Sequence, residues 1–219
     1  MKFAVIIFPG SNCDYDAYYV IKKQLHVHVD FIWHQDSNLK QYDCIIIPGG
    51  FSYGDYLRAG AIARFSKIMK AIQEESKKGK AIIGICNGFQ ILVESGMLPG
   101  ALITNNSTRF ISKQVYLKTS NTNSIFTKKY NKNEVINMPM AHKQGNYFAD
   151  SELLKKLKSN NQIAFQYLEN PNGSCDDIAG IFNSDKNILG MMPHPERASE
   201  FLLGSNDGIK IFESMLSNS

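Results

Sequence analysis

Cys86 stands in the run G-I-C-N-G-F-Q over residues 84–90, with a glycine two positions to either side. An apolar stretch precedes it and a helix-forming one follows, which is the strand–turn–helix context of a nucleophile elbow. Gly84 and Gly88 leave the backbone room to turn sharply. A thiol at a helix start meets the positive end of the helix dipole, which favours the thiolate. The Asn87 N–H points at the same spot and is a candidate oxyanion donor. A structural cysteine buried in a tight turn is the competing use of these residues, and a partner base is needed to decide between them.

Met192-Pro193-His194-Pro195-Glu196 offers that base. Proline fixes its own φ and pushes the residue before it into an extended shape. In an extended chain, residues i and i+2 face the same side, so Glu196 is expected to hold the His194 imidazole in one tautomer. A rigid surface loop with two solvated side chains is the alternative. Metal binding is a weaker use of these residue types. The five histidines, His26, His28, His34, His142 and His194, show no i, i+4 helical spacing, and no C-x-x-C occurs. His26 and His28 fall on one face of an expected strand, and no metal site is predicted.

A third segment, Pro48-Gly49-Gly50-Phe51-Ser52-Tyr53-Gly54-Asp55, follows the apolar run D-C-I-I-I. Paired glycines at a strand's carboxyl end let backbone N–H groups approach a ligand closely. Gly50 is thus a second candidate oxyanion donor beside Asn87. The pattern fits neither a Walker loop nor a dinucleotide fingerprint.

These segments must be carried by elements that bring them together. Residues 2–8, 43–47 and 80–86 are continuous apolar runs, as expected of strands buried on both faces, and 27–34 alternates. Helices are expected at 14–25, 57–78 and 87–95. This βαβ alternation predicts an α/β fold with a mainly parallel sheet covered by helices on both faces. The second half changes character. Strands with polar turns are expected over 108–140, a helix at 150–159, strands at 162–168, 178–183 and 187–192, and a helix at 207–217. No linker or internal repeat is visible, so the 219 residues are read as a single domain.

Composition bounds the function classes. Hydrophobic residues make up 43% and charged residues 20%, which is a folded chain with a sizeable core. A formal charge of +4 is too weak to imply nucleic acid. The charge is uneven: residues 111–160 hold nine lysines against Glu134, Asp150 and Glu152. That stretch is read first as a solvated surface and second as a face for an acidic partner. No run approaches the ~18 apolar residues of a membrane helix. The run Phe3–Phe8 is too short for a signal-peptide core, and no small-residue cleavage site follows it. A cytoplasmic location is therefore expected, with Cys13, Cys44, Cys86 and Cys175 as free thiols.

P-G-G at 48–50, G-x-C-x-G-x-Q at 84–90 and P-H-P-E at 193–196, in that order, resemble the class I (triad-type) glutamine amidotransferases. F-P-G-S-N-C-D-Y-D (8–16), the run 49–63, M-A-H (140–142) and N-P-N-G-S (170–174) are similar to one branch, the glutaminase subunits of phosphoribosylformylglycinamidine synthases. The resemblance implies a flavodoxin-like sheet with an added antiparallel portion. It implies Cys86 as nucleophile, His194 as base and Glu196 as orienter, with Gly50 and Asn87 as the oxyanion hole and Gln90 and Gly49 as glutamine contacts. It implies no cofactor in this chain. ATP and magnesium are expected on a large synthetase subunit that receives the ammonia, with a small third subunit in the complex. One departure is visible: the segment after His142, usually H-G-E-G in this branch, reads His142-Lys143-Gln144-Gly145. Residues 51–63 and the lysine-rich 111–160 are the candidate docking segments.

Overall fold

The computed structural model describes residues 1–217. The first half alternates as expected: β1 (Lys2–Ile7), α1 (Asp14–Tyr19), β2 (His28–Trp33), β3 (Cys44–Ile47), α2 (Lys67–Ser76), β4 (Ala81–Ile85) and α3 (Asn87–Glu94). The second half contains β5 (Ala101–Ile103), β6 (Ile111–Thr119), β7 (Val135–His142), β8 (Asn146–Phe148), α4 (Ser151–Ser159), β9 (Ile163–Tyr167), β10 (Ile178–Phe182), β11 (Ile188–Met191) and α5 (Ile209–Leu216).

Nine strands form one sheet in the order β2-β1-β3-β4-β11-β10-β9-β6-β7, and β5 pairs with β8 separately. From β2 to β11 every pairing is parallel. From β11 to β7 every pairing is antiparallel. The parallel half has the doubly wound order of a flavodoxin-like sheet, with β11 as its fifth strand. Every residue of β3, β4 and β11 is buried. Successive side chains of a strand point to opposite faces, so both faces are covered there. β7 instead alternates buried with half-buried positions, as a strand covered on one face does. Asp150 caps α4 through a 2.8 Å bond from the Leu153 N–H. Among the described residues no helix is long and apolar enough to cross a membrane.

The first half differs from the sequence reading at three places, and in the second half the β5–β8 pair was not expected. The helix expected over 57–78 begins only at Lys67. Before it the chain makes short 3-10 turns at Ser52–Asp55 and Ala63–Phe65. Leu57 has φ +68°, and Gly60 at φ +79° packs so that a Cβ would lie 2.8 Å from the Gln90 carbonyl carbon. Tertiary contact with α3 therefore overrides helix propensity in this stretch. The helix from Asp14 keeps α geometry to Tyr19 and widens into a π turn over Val20–Gln24. His26, at φ +56°, precedes β2 and does not share a strand face with His28, which instead lies 3.0 Å from Asp30.

Candidate active site

All three chemically suggestive segments leave carboxyl ends of adjacent parallel strands: Gly49-Gly50 after β3, Cys86 after β4 and His194 after β11. In an open α/β sheet that edge is where ligands bind. Cys86 sits at φ +50°, ψ −104°, outside the ordinary regions for an L residue. Two glycines make this turn possible. A Cβ at Gly84 would lie 2.5 Å from Leu92 Cδ1, and one at Gly88 would lie 1.9 Å from the Ile47 carbonyl oxygen. The Cys86 N–H donates to the Met191 carbonyl at 2.8 Å, tying the elbow to β11. The result is a nearly buried thiol at the first turn of α3, with its Sγ 3.6 Å from the Ala141 carbonyl oxygen.

His194 is held from both sides. Its N–H donates to the Pro139 carbonyl on β7 at 2.8 Å, and Nδ1 lies 2.6 Å from Glu196 Oε1, with both side chains almost fully buried. The expected His–Glu pairing is present, but by a different backbone route. Only His194 is extended, and Pro195–Arg197 form a 3-10 turn. Proline at the first position of that turn pre-sets its φ, so Glu196 curls back toward the ring. Burial alone lowers the imidazole's basicity. The Glu196 carboxylate and the neighbouring Cys86 and Cys13 thiols outweigh it and hold His194 well above the usual histidine range. With Nδ1 engaged, Nε2 has no other partner among the described residues and faces the thiols.

Gly50, at φ +146°, is pinned by an antiparallel bridge to Ser11, in which Asn12 donates to Gly49 and Phe51 donates to Gly10. Bonds at the flanking positions leave the Gly50 N–H itself outside the bridge. A cavity of about 230 Å3, the size of a single amino acid, is lined by Gly50, Cys86, Gln90, Asp55, His142 and Lys143 among others. Gly49 is not on its wall. It lies beneath His194, where a Cβ would come within 2.8 Å of Cε1. The Asn87 side chain braces the wall: it accepts from the Ser52 N–H at 3.0 Å and donates to Gln90 Oε1 at 2.9 Å.

Sequence reasoning assigned no role to Cys13, Asp55 or His142, all of which the fold brings to the site. Cys13 Sγ, a His194 ring nitrogen and a Glu196 oxygen lie within 4.8 Å of one another, and burial pushes the Cys13 thiol up. His142 is buried, and burial, then the charge of His194, lowers its pKa to about 4. Its two ring nitrogens have no partner among the described residues. The signals for them were local runs: 8–16 for Cys13, the tight glycine loop for Asp55 and 140–142 for His142.

The PurLQS structure from Thermotoga maritima is similar to this chain at 43% identity and a TM-score of 0.91, covering 99% of this chain and 97% of that one. The glutaminase domain of Trypanosoma brucei CTPS with bound acivicin shares the fold at 13% identity and a TM-score of 0.64, covering 100% of this chain and 95% of that one. A glutamine amidotransferase from Thermotoga maritima does so at 15% identity and a TM-score of 0.58, covering 90% of this chain and 76% of that one. Residues 1–207 match the profile of the CobB/CobQ-like glutamine amidotransferase domain, and the chain belongs to that family.

Proposed function

We propose that this chain is the glutaminase subunit of a phosphoribosylformylglycinamidine synthase, and that Cys86, His194 and Glu196 form its triad. The observation that carries the reading is the likeness to PurLQS at 43% identity along nearly the whole of both chains. The loop G-G-F-S-Y-G-D-Y-L-R-A-G at 49–60 points to the same branch.

The geometry supports a two-step acyl transfer. The Cys86 thiolate attacks the glutamine side-chain carbonyl carbon, and the oxyanion rests on the Gly50 and Asn87 N–H groups. His194 gives its proton to the departing nitrogen, and ammonia leaves as the C–N bond breaks. The same imidazole then draws a proton from water, which attacks the thioester, and glutamate and the thiol are released. Glu196 fixes the ring and balances its positive charge. ATP and magnesium act on a synthetase subunit, which takes up the ammonia and amidates formylglycinamide ribonucleotide, and a small third subunit completes the complex.

The oxyanion donor at Gly50 sits between the Ser11 bridge and an exposed Phe51. A partner resting on residues 51–63 is therefore placed to set the donor's position. If about one free molecule in a hundred is competent, docking raises the rate about a hundredfold. The test is glutamate release at saturating glutamine with and without the synthetase subunit loaded with its nucleotides. A rise on docking supports the reading, and equal rates would mark a free-standing glutaminase.

A further inference from the structure

A glutamine whose amide carbon rests at Cys86 presents a zwitterionic head several bonds away, and the protein must recognise an ammonium and a carboxylate there. The cavity wall carries one carboxylate, Asp55, and one lysine, Lys143. In the related branch an acid is usual two residues after His142. Here that position is Gln144, whose Oε1 accepts from the Ala59 N–H at 3.1 Å and whose backbone carbonyl accepts from Gln90 Nε2. Gln144 therefore braces the wall and brings no charge to it.

Asp55 is placed with unusual care. It ends a 3-10 turn in which Tyr53, Gly54 and Asp55 all have positive φ, and Leu57 follows at φ +68°. Left-handed conformations at non-glycine residues are costly and persist only where surrounding contacts impose them. Those contacts are present. The Tyr53 N–H donates to the Pro9 carbonyl at 2.6 Å, its hydroxyl lies 2.8 Å from His34 Nδ1, and the Gly54 N–H donates to the Phe51 carbonyl at 2.8 Å. Asn87 Nδ2, at the head of α3, reaches Asp55 Oδ1 at 3.4 Å. The carboxylate is thus held against the residue next to the nucleophile.

Resting on the glutaminase reading, we propose that Asp55 is the specificity residue that binds the α-ammonium of glutamine, with Lys143 facing its α-carboxylate. Half-burial without a cationic neighbour raises the Asp55 carboxyl to about 6, and an arriving ammonium supplies the missing charge. A second carboxylate in place of the ammonium, or no charge there, removes the match. The site therefore selects an α-amino acid, not merely a primary amide of suitable length.

The test is equilibrium binding to the full chain carrying Cys86→Ala, so that nothing is consumed. L-glutamine is compared with 5-amino-5-oxopentanoate, which lacks the α-amino group. Loss of a partly buried ion pair is expected to weaken glutamine binding at least about tenfold in Asp55→Asn, leave the desamino analogue unchanged, and so abolish the preference. Asp55→Glu, which keeps the charge, should retain a preference for glutamine and guards against a merely structural effect. Equal weakening of both ligands, an unchanged glutamine affinity in Asp55→Asn, or no glutamine binding by the Cys86→Ala chain would overturn the assignment. The glutaminase reading fails separately. If the chain with Cys86 intact binds glutamine with this preference and releases no glutamate with or without a synthetase, Asp55 stands and the reaction does not.

Discussion

Replacing Glu196 by Gln tests the triad at its most sharply defined contact. The two side chains lie 2.6 Å apart and are 0–3% exposed, so water does not screen the pair. Gln keeps the size of Glu, and its carbonyl oxygen can still accept from Nδ1–H, so ring position and tautomer survive. What disappears is attraction between a carboxylate and the imidazolium that stands beside the attacking thiolate and later gives up its proton. Unit charges about 4 Å apart attract by about 4 kcal/mol at an effective dielectric of about 20. At about 1.4 kcal/mol per decade, kcat should fall about a thousandfold. Glu196 is not on the cavity wall, so KM should change little. Glutamate release, followed with glutamate dehydrogenase over a range of glutamine concentrations, separates the two constants. A kcat within tenfold of the parent, or a change confined to KM, refutes the charge-balancing role of Glu196.

Cys86→Ala should lower glutamate release by at least about three orders of magnitude with the fold intact, while Cys44→Ser and Cys175→Ser keep most of it. Residual turnover above a tenth of the parent would move the nucleophile elsewhere. Gly88→Ala drives a methyl group into the Ile47 carbonyl, 1.9 Å from the ideal Cβ, and should destabilise the chain by about 3 kcal/mol, read as a lower urea midpoint. His142 has its pKa lowered from 6.5 to about 4 in the folded chain, so the unfolded chain binds the extra proton first. Stability should therefore fall as pH drops from 6.5 toward 4, by at most about 3 kcal/mol from this residue, and His142→Gln should flatten that slope of unfolding free energy. An unchanged slope would show that folding does not lower the His142 pKa.

Much of the frame was legible because it depends on local pattern. The runs at 2–8, 43–47 and 80–86 are apolar without alternation, and only a strand covered on both faces needs that. The elbow was legible because Gly84 and Gly88 are required by contacts that leave no space for a side chain. Residues 57–66 were misread as helix because the shape of the stretch from 51 on is imposed from outside. Tyr53, Asp55 and Leu57 adopt positive φ without being glycine, held by contacts to Pro9 and His34 that lie far away in sequence. Cys13 and His142 stand in the runs 8–16 and 140–142 that carry the resemblance, but no role followed for either, for a related reason. Tertiary packing across the sheet edge brings them near His194, and no spacing in the chain encodes that approach.

The position of β11 has a consequence for when activity can begin. This strand lies between β4 and β10, in register with Ile82–Ile85, although about a hundred residues separate the partners in sequence. It also delivers His194 and accepts the Cys86 N–H through Met191. During synthesis the elbow at residues 84–90 leaves the ribosome long before β11 does, at roughly 5–20 residues per second. Until then the sheet has a gap where its central strand belongs, and the Cys86 thiol lacks both His194 and the Met191 brace. On the proposed triad, ammonia release must wait until this pairing closes, and of all the paired strands these two lie furthest apart in sequence.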